Sequence, residues 1–283
     1  MENVTNGEIV NNICNSNWLG ISLCNSTYNV VANNTCLYNL NAIVLANSDS
    51  NTVANNTWTS IDWGIRLWAS NSNTVTNNTC NSNRDFAIRI GGDYNTVANN
   101  TCKYNGIGIR IGGDYNTVVN NICKYNGICI QPDWYQPLYK GIGIHLSGAA
   151  DNILENNICC NNSVGISLGE SDQNTVTNNT CNSNDIGISL EESDSNFVVD
   201  NICNNNEIGI YLDDESEFNT VENNTFSGNT EQDIVDEWLA HREEKELAHK
   251  EYVGKQLVWF LAGCGMILVV SVIVVVQFRR MEI

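Results

Sequence analysis

Proline is nearly missing from this 283-residue chain, with two, and histidine and methionine number three each. So few imidazole and thioether donors give little support to a copper site. Basic residues are scarce as well: 13 Lys and Arg stand against 32 Asp and Glu, a formal charge of -19. That balance excludes nucleic acid as a partner, because phosphate binding needs a basic footprint. No HExxH, GxSxG, Walker or CxxC motif occurs, so none of the chemistries those patterns carry is indicated. The first residues, "MENVTNGEIVNNIC", show no positively charged start, apolar stretch and cleavage site. Either no cleaved signal exports the protein, or the chain begins inside a longer one.

What is present is a repeat. Hydrophobic residues make up 42% of the chain, enough for a core, and Val, Ile and Leu recur at fixed intervals, unlike a solvating acidic tail. The residue after each "NNT" or "NNI" is Cys14, Cys36, Trp58, Cys80, Cys102, Cys123, Cys159, Cys181, Cys203 and Phe226, in steps of 22, 22, 22, 22, 21, 36, 22, 22 and 23. A second column, mostly "GIxL", runs Ile21, Ile43, Ile65, Ile88, Ile109, Ile144, Ile166, Ile188 and Ile210, and a third is the Val of "NTV". Each period holds three short alternating runs separated by Asn, Gly, Ser or Asp, which favour turns. Runs of this length are too short for helices, and a constant period with three strands predicts an all-β solenoid. Equivalent residues then stack about 4.8 Å apart, and columns such as Asn56, Asn78, Asn100 and Asn121 can link amides up the stack.

The unit "NTVxNNTxxxNxxGIxLxxS" resembles the right-handed parallel β-helix repeats of the NosD-like and carbohydrate-binding/sugar-hydrolase families, over about residues 3–228. The resemblance implies a right-handed parallel β-helix of about ten coils of ~22 residues. That architecture hosts lyases, hydrolases, epimerases, adhesins and assembly factors. The NosD-like side of it implies a part in copper-site assembly with a transporter.

The cysteine column shares its place with Trp58 and Phe226, and only apolar bulk is common to the three residue types. It reads as an inward slot filled by free thiols. Disulfides between neighbouring coils, such as Cys80 with Cys102, stay open, although parallel side chains in register make poor partners.

The β-helix is expected over 1–228, with an insertion loop at 131–140, a helical juxtamembrane stalk at 229–256, a transmembrane helix at 257–277 and a short basic tail at 278–283. The span rests on "LVWFLAGCGMILVVSVIVVV", inside an uncharged stretch from Gln256 to Phe278. The membrane, through that helix, is thus one partner. Orientation has two readings. In one the β-helix faces outward, on a chain whose signal lies upstream; in the other the protein is tail-anchored and faces the cytoplasm. Arg279 and Arg280 favour a cytoplasmic C-terminus, while Arg242, Lys245, Lys250 and Lys255 lie on the other side of the span.

Function is sought on the outward positions. The x of "GIxL" is Arg66, Arg89, Arg110 and His145 on four consecutive coils, pointing out because side chains alternate along a strand. Stacked like charges repel unless solvent or an anion covers them, and a uronate or sulfate chain fits that role. The insertion "QPDWYQPLYK" emerges beside the row, and its Trp134 and Tyr135 are candidates to stack on sugars. Asp93 and Asp114 hold equivalent turn positions and are weak catalytic candidates for glycoside cleavage; Asp172 and Asp194 continue the column as weak candidate ligands for calcium. Turn geometry alone also calls for Asp there. From Asp151 to Gly228 there are 15 acids and no Lys or Arg. Three functions therefore compete: a surface β-helix that binds glycans or acidic polysaccharide or serves as an adhesion module, a polysaccharide lyase or hydrolase, and a copper-enzyme assembly factor.

Overall fold

The computed structural model describes residues 1–59, 62–127, 141–243, 245, 247, 250 and 251. The chain divides into two units, Met1–Asp236 and Glu237–Ile283. In the first, every strand pairs in parallel with its equivalent one coil away, as in Val75 with Val97 and Ile88 with Ile109. Among the described residues the "NTV" strands form one ten-stranded sheet and the "GIxL" strands another. The "NTC" strands form a seven-stranded and a two-stranded sheet, which Thr180 joins by bridging Ile158 and Ile202. This is a parallel β-solenoid of about ten coils, as the repeat predicts.

The core is the set of inward columns. Ile43, Ile65, Ile88, Ile109, Ile144 and Ile166 are fully buried, as are Val53, Val75, Val97 and Val118. Cys36, Trp58, Cys80, Cys102, Cys123, Cys159, Cys181 and Cys203 form the third inward column, and all seven of these thiols are free. The slot is therefore hydrophobic, and burial raises Cys36 to about 12 and Cys80, Cys102 and Cys159 also upward, whereas at Cys123 and Cys181 burial is outweighed by hydrogen bonds from neighbouring thiols, which lower both. Where a glycine precedes the inward Ile the backbones stand close: a methyl on Gly187 would collide with the Gly209 carbonyl of the next coil, although Ala42 and Ala87 take the same position in two coils.

Asparagine holds the corners in two ways. In "NN" the first residue takes the left-handed conformation, as Asn55, Asn77 and Asn99 do with φ of 55°, 54° and 56°, a region Asn tolerates better than most side chains. The second points inward and joins a ladder: Asn56 Nδ2 donates to Asn78 Oδ1 at 3.1 Å, Asn78 to Asn100 at 3.0 Å, and Asn100 to Asn121 at 3.0 Å. Two further ladders run through Asn29, Asn51, Asn73 and Asn95 and through Asn105, Asn126 and Asn162. Ser26, Ser48 and Ser70 hydroxyls serve a fourth corner by accepting backbone N–H groups.

The stack runs past the expected boundary at 228. Gln232–Asp236 is a strand paired with Ile208–Leu212, Ile234 taking the register position next to Ile210. Alternation about Ile234 suits the open edge of the last coil, so this part of the expected stalk is sheet. In the second unit residues 237–243, 245, 247, 250 and 251 are helical, and the Arg242 guanidinium lies 5.5 Å from the centre of the Trp238 ring. No helix of the described residues is long and apolar enough to cross a membrane. The expected span at 257–277 lies outside the described residues, as does the insertion loop with Trp134 and Tyr135.

Candidate functional site

The basic row forms as the alternation predicts. Arg66 pairs in register with Arg89, Arg89 with Arg110, and Arg110 with His145. The same column begins Ser22 and Val44 and continues Ser167, Ser189 and Tyr211, so positive charge is confined to its middle coils. All four basic side chains are half-buried.

Aromatic rings hold the guanidinium groups. Arg66 lies 5.1 Å from the centre of the Trp63 ring and 5.5 Å from that of Trp68, and Phe86 sits 5.5 Å from Arg89 and 5.6 Å from Arg110. Such contacts attract a cation to the ring face and restrain its side chain. Arg110 Nη2 also donates to Ser147 Oγ at 3.2 Å. No carboxylate among the described residues comes within 4.0 Å of Arg66 or Arg89. Burial first and Arg89 second lower the pKa of Arg66.

At the upper end of the row, burial and then Arg110 push His145 down to about 4, so its imidazole is neutral at pH 7. Its Nδ1 meets Ser167 Oγ at 3.2 Å. The row is therefore three cations followed by a neutral hydrogen-bonding group.

Beside it runs a shallow floor. Two positions after each basic residue stand Trp68, Gly91, Gly112 and Ser147. A methyl on Gly112 would meet nothing nearer than the Ser147 carbonyl at 3.7 Å, so the floor is open where a side chain would fit. Trp68, 64% exposed, rises at one end.

Asp85 supports this face from below. It is 7% exposed, its Oδ2 accepts the Trp63 Nε1 proton at 2.6 Å, and its Oδ1 is buried without a partner. Burial raises its pKa and the Asp62 carboxylate adds to this, against the Trp63 hydrogen bond. The sequence reading missed Trp63, Asp85 and Phe86. A signal was available: the step from Ile65 to Ile88 is 23 residues and the next is 21, which marks a reshaped corner.

The aspartate column lies on the turns and has a structural use. Asp93 Oδ1 accepts the backbone N–H of Asp114 at 2.9 Å, and Asp114 Oδ1 that of Ala150 at 2.8 Å. Asp172 and Asp194 do the same for Asp194 and Glu217. One oxygen of each is thus committed to the next coil, and among the described residues no group of three or more His, Cys, Asp or Glu could hold a metal ion.

The family model described as "Periplasmic copper-binding protein (NosD)" matches residues 1–133 and 138–252. No curated protein sequence matches the chain. Among solved structures, the chain is similar to the A-module of the Azotobacter vinelandii mannuronan C-5 epimerase AlgE4, with TM-score 0.59 and 12% identity over 82% of this chain and 78% of that one. It is also similar to the tailspike protein of the E. coli bacteriophage HK620, with TM-score 0.58 and 14% identity over 75% of this chain and 44% of that one. A third is the surface adhesin PfbA of Streptococcus pneumoniae, at TM-score 0.51 and 12% identity over 76% and 71%. These likenesses are of the β-helix fold.

Proposed function

The chain belongs to the NosD family, and we propose that this member is an extracytoplasmic β-helix that binds an acidic polysaccharide across Arg66, Arg89, Arg110 and His145. The observation that carries the reading is the in-register guanidinium row, braced by aromatic rings. Three like charges at one strand spacing are held at a cost that a bound polyanion offsets, and the planar fork of Arg suits a carboxylate. Trp68 adds an exposed ring for a sugar face. An extracytoplasmic place accords with the family's periplasmic description, and a polysaccharide ligand with the names of the epimerase among its structural neighbours. Anchoring by residues 257–277, with Trp134 and Tyr135 of the insertion as additional sugar contacts, completes the proposal.

The family description also names copper, and the described residues do not fit that ion. The thiols of the inward column are buried and free, His145 stands against Ser167, and among the described residues no group of three or more His, Cys, Asp or Glu could hold a metal ion. A catalytic part for Asp93 and Asp114 is not favoured either, since each is engaged with backbone. Calcium at Asp172 and Asp194 meets the same objection.

The test is affinity electrophoresis of the full chain through gels containing polygalacturonate, alginate or neutral dextran. Retardation is expected in the two acidic gels alone, weakened about tenfold or more in an Arg66→Ala/Arg89→Ala double variant. Equal mobility in all gels, or a variant retarded as strongly as the parent, would sink the reading.

A further inference from the structure

The arginine row has a repeat as well as a charge. Register pairing places Arg66, Arg89 and Arg110 on successive coils, so their Cα atoms advance about 4.8 Å each. An extended chain of pyranose sugars advances by nearly the same length per residue. A sugar chain lying along the β-helix axis therefore brings one residue over each coil, while one lying across the axis meets only one or two coils.

Three features favour the axial course. Gly91 and Gly112 leave the strip beside Arg89 and Arg110 clear of side chains. Trp68 stands at the start of that strip and presents a ring to whatever lies on it. Beyond Arg110 the row passes to His145, a group suited to hydroxyls rather than carboxylates, and the next two members of the column, Ser167 and Ser189, are buried.

We propose, resting on the polysaccharide-binding reading above, that the site takes a polyuronate parallel to the β-helix axis and selects carboxylates on three consecutive sugars, one each for Arg66, Arg89 and Arg110. Trp68 covers the sugar at the Arg66 end. The fourth sugar, over His145, is bound through hydroxyl groups, and its charge is not read.

The experiment is calorimetric titration of the full chain with oligogalacturonates of one to six sugars, with hyaluronan fragments, whose carboxylates fall on every second sugar, and with sulfated dextran fragments. Affinity is expected to rise about tenfold per sugar up to three and to change less than about twofold from four to six. Arg89→Ala should remove one of those steps. Gly112→Val, which has room at the surface, should weaken the trimer about tenfold while leaving the circular dichroism spectrum and unfolding midpoint unchanged. Hyaluronan fragments should bind far more weakly than oligogalacturonates of equal length.

An even rise in affinity through six sugars, equal binding of hyaluronan, or a Gly112→Val trimer affinity like the parent's would overturn the axial three-carboxylate assignment and leave polysaccharide binding standing. Tighter binding of sulfated fragments at equal length would overturn the carboxylate choice. Absence of binding to every polyanion would overturn both this inference and the reading it rests on.

Discussion

Replacing Asn100 by Ala tests whether the asparagine ladders hold the solenoid together. The Asn100 side chain is fully buried and makes four hydrogen bonds. Its Oδ1 accepts the Asn78 backbone N–H at 3.0 Å and Asn78 Nδ2 at 3.0 Å, and its Nδ2 donates to the Val75 carbonyl at 2.9 Å and to Asn121 Oδ1 at 3.0 Å. After truncation Asn78 Nδ2 keeps Val53 and Asn121 Oδ1 keeps the Asn100 backbone N–H. The Asn78 backbone N–H loses its acceptor. An orphaned buried donor costs about 1–3 kcal/mol and each of the three remaining lost bonds about 0.5–1.5 kcal/mol, so Asn100→Ala should destabilise by roughly 3–7 kcal/mol. Asn12, at the exposed start of the same ladder, donates to Val10 and Asn34, and Asn12→Ala should cost less than about 1 kcal/mol. Urea unfolding followed by circular dichroism measures both, provided the slopes match the parent's. If Asn100→Ala costs no more than Asn12→Ala, buried amide ladders do not carry the stability argued for them.

The cysteine slot makes its own prediction: Cys102→Val should stay within about 1 kcal/mol of the parent in the same assay, while Cys102→Ser, which buries a hydroxyl among thiols and methyls, should cost about 1–3 kcal/mol. A neutral result for serine would mean the slot is wetter than its burial implies. The His145 value also fixes a pH dependence. Because its folded pKa of about 4 lies below the unfolded value of about 6.5, the unfolded state gains the proton first. The stability held by the neutral ring is full above about pH 6.5 and is lost as pH falls towards 4, on the order of 2 kcal/mol. Unfolding of the parent and of His145→Gln at pH 7 and 4.5 checks the sign; a parent that loses no more stability than the variant refutes it.

Much of this fold is legible in one dimension because a solenoid repeats by translation. A step of 22 residues places Cys80 beside Cys102, and one of 23 places Arg66 beside Arg89, without any long-range folding of the chain to infer. The inward Ile, Val and Cys columns, the asparagine ladder and the outward basic row are therefore consequences of spacing and strand alternation. Identity of function is less legible, since the same spacing produces Asp93 and Asp114 as a column whatever they serve, and only the folded chain shows one oxygen of each accepting a backbone N–H of the next coil.

Sequence by itself determined the parallel stack, its three strands per coil and which residue types face in. Tertiary structure decided what happens where the period slips. In the coil from Ile65 to Ile88, one residue longer, Asp85 receives the hydrogen bond of Trp63 from the preceding coil and Phe86 lies against Arg89, and strict alternation misassigns side chains at such a bend. It also decided that Gln232–Asp236 closes the β-helix unit as a strand, because an open coil edge offers unpaired backbone groups that a short alternating segment can satisfy. Periodic positions follow from a translation rule, whereas corners and ends depend on neighbours that only the folded chain supplies.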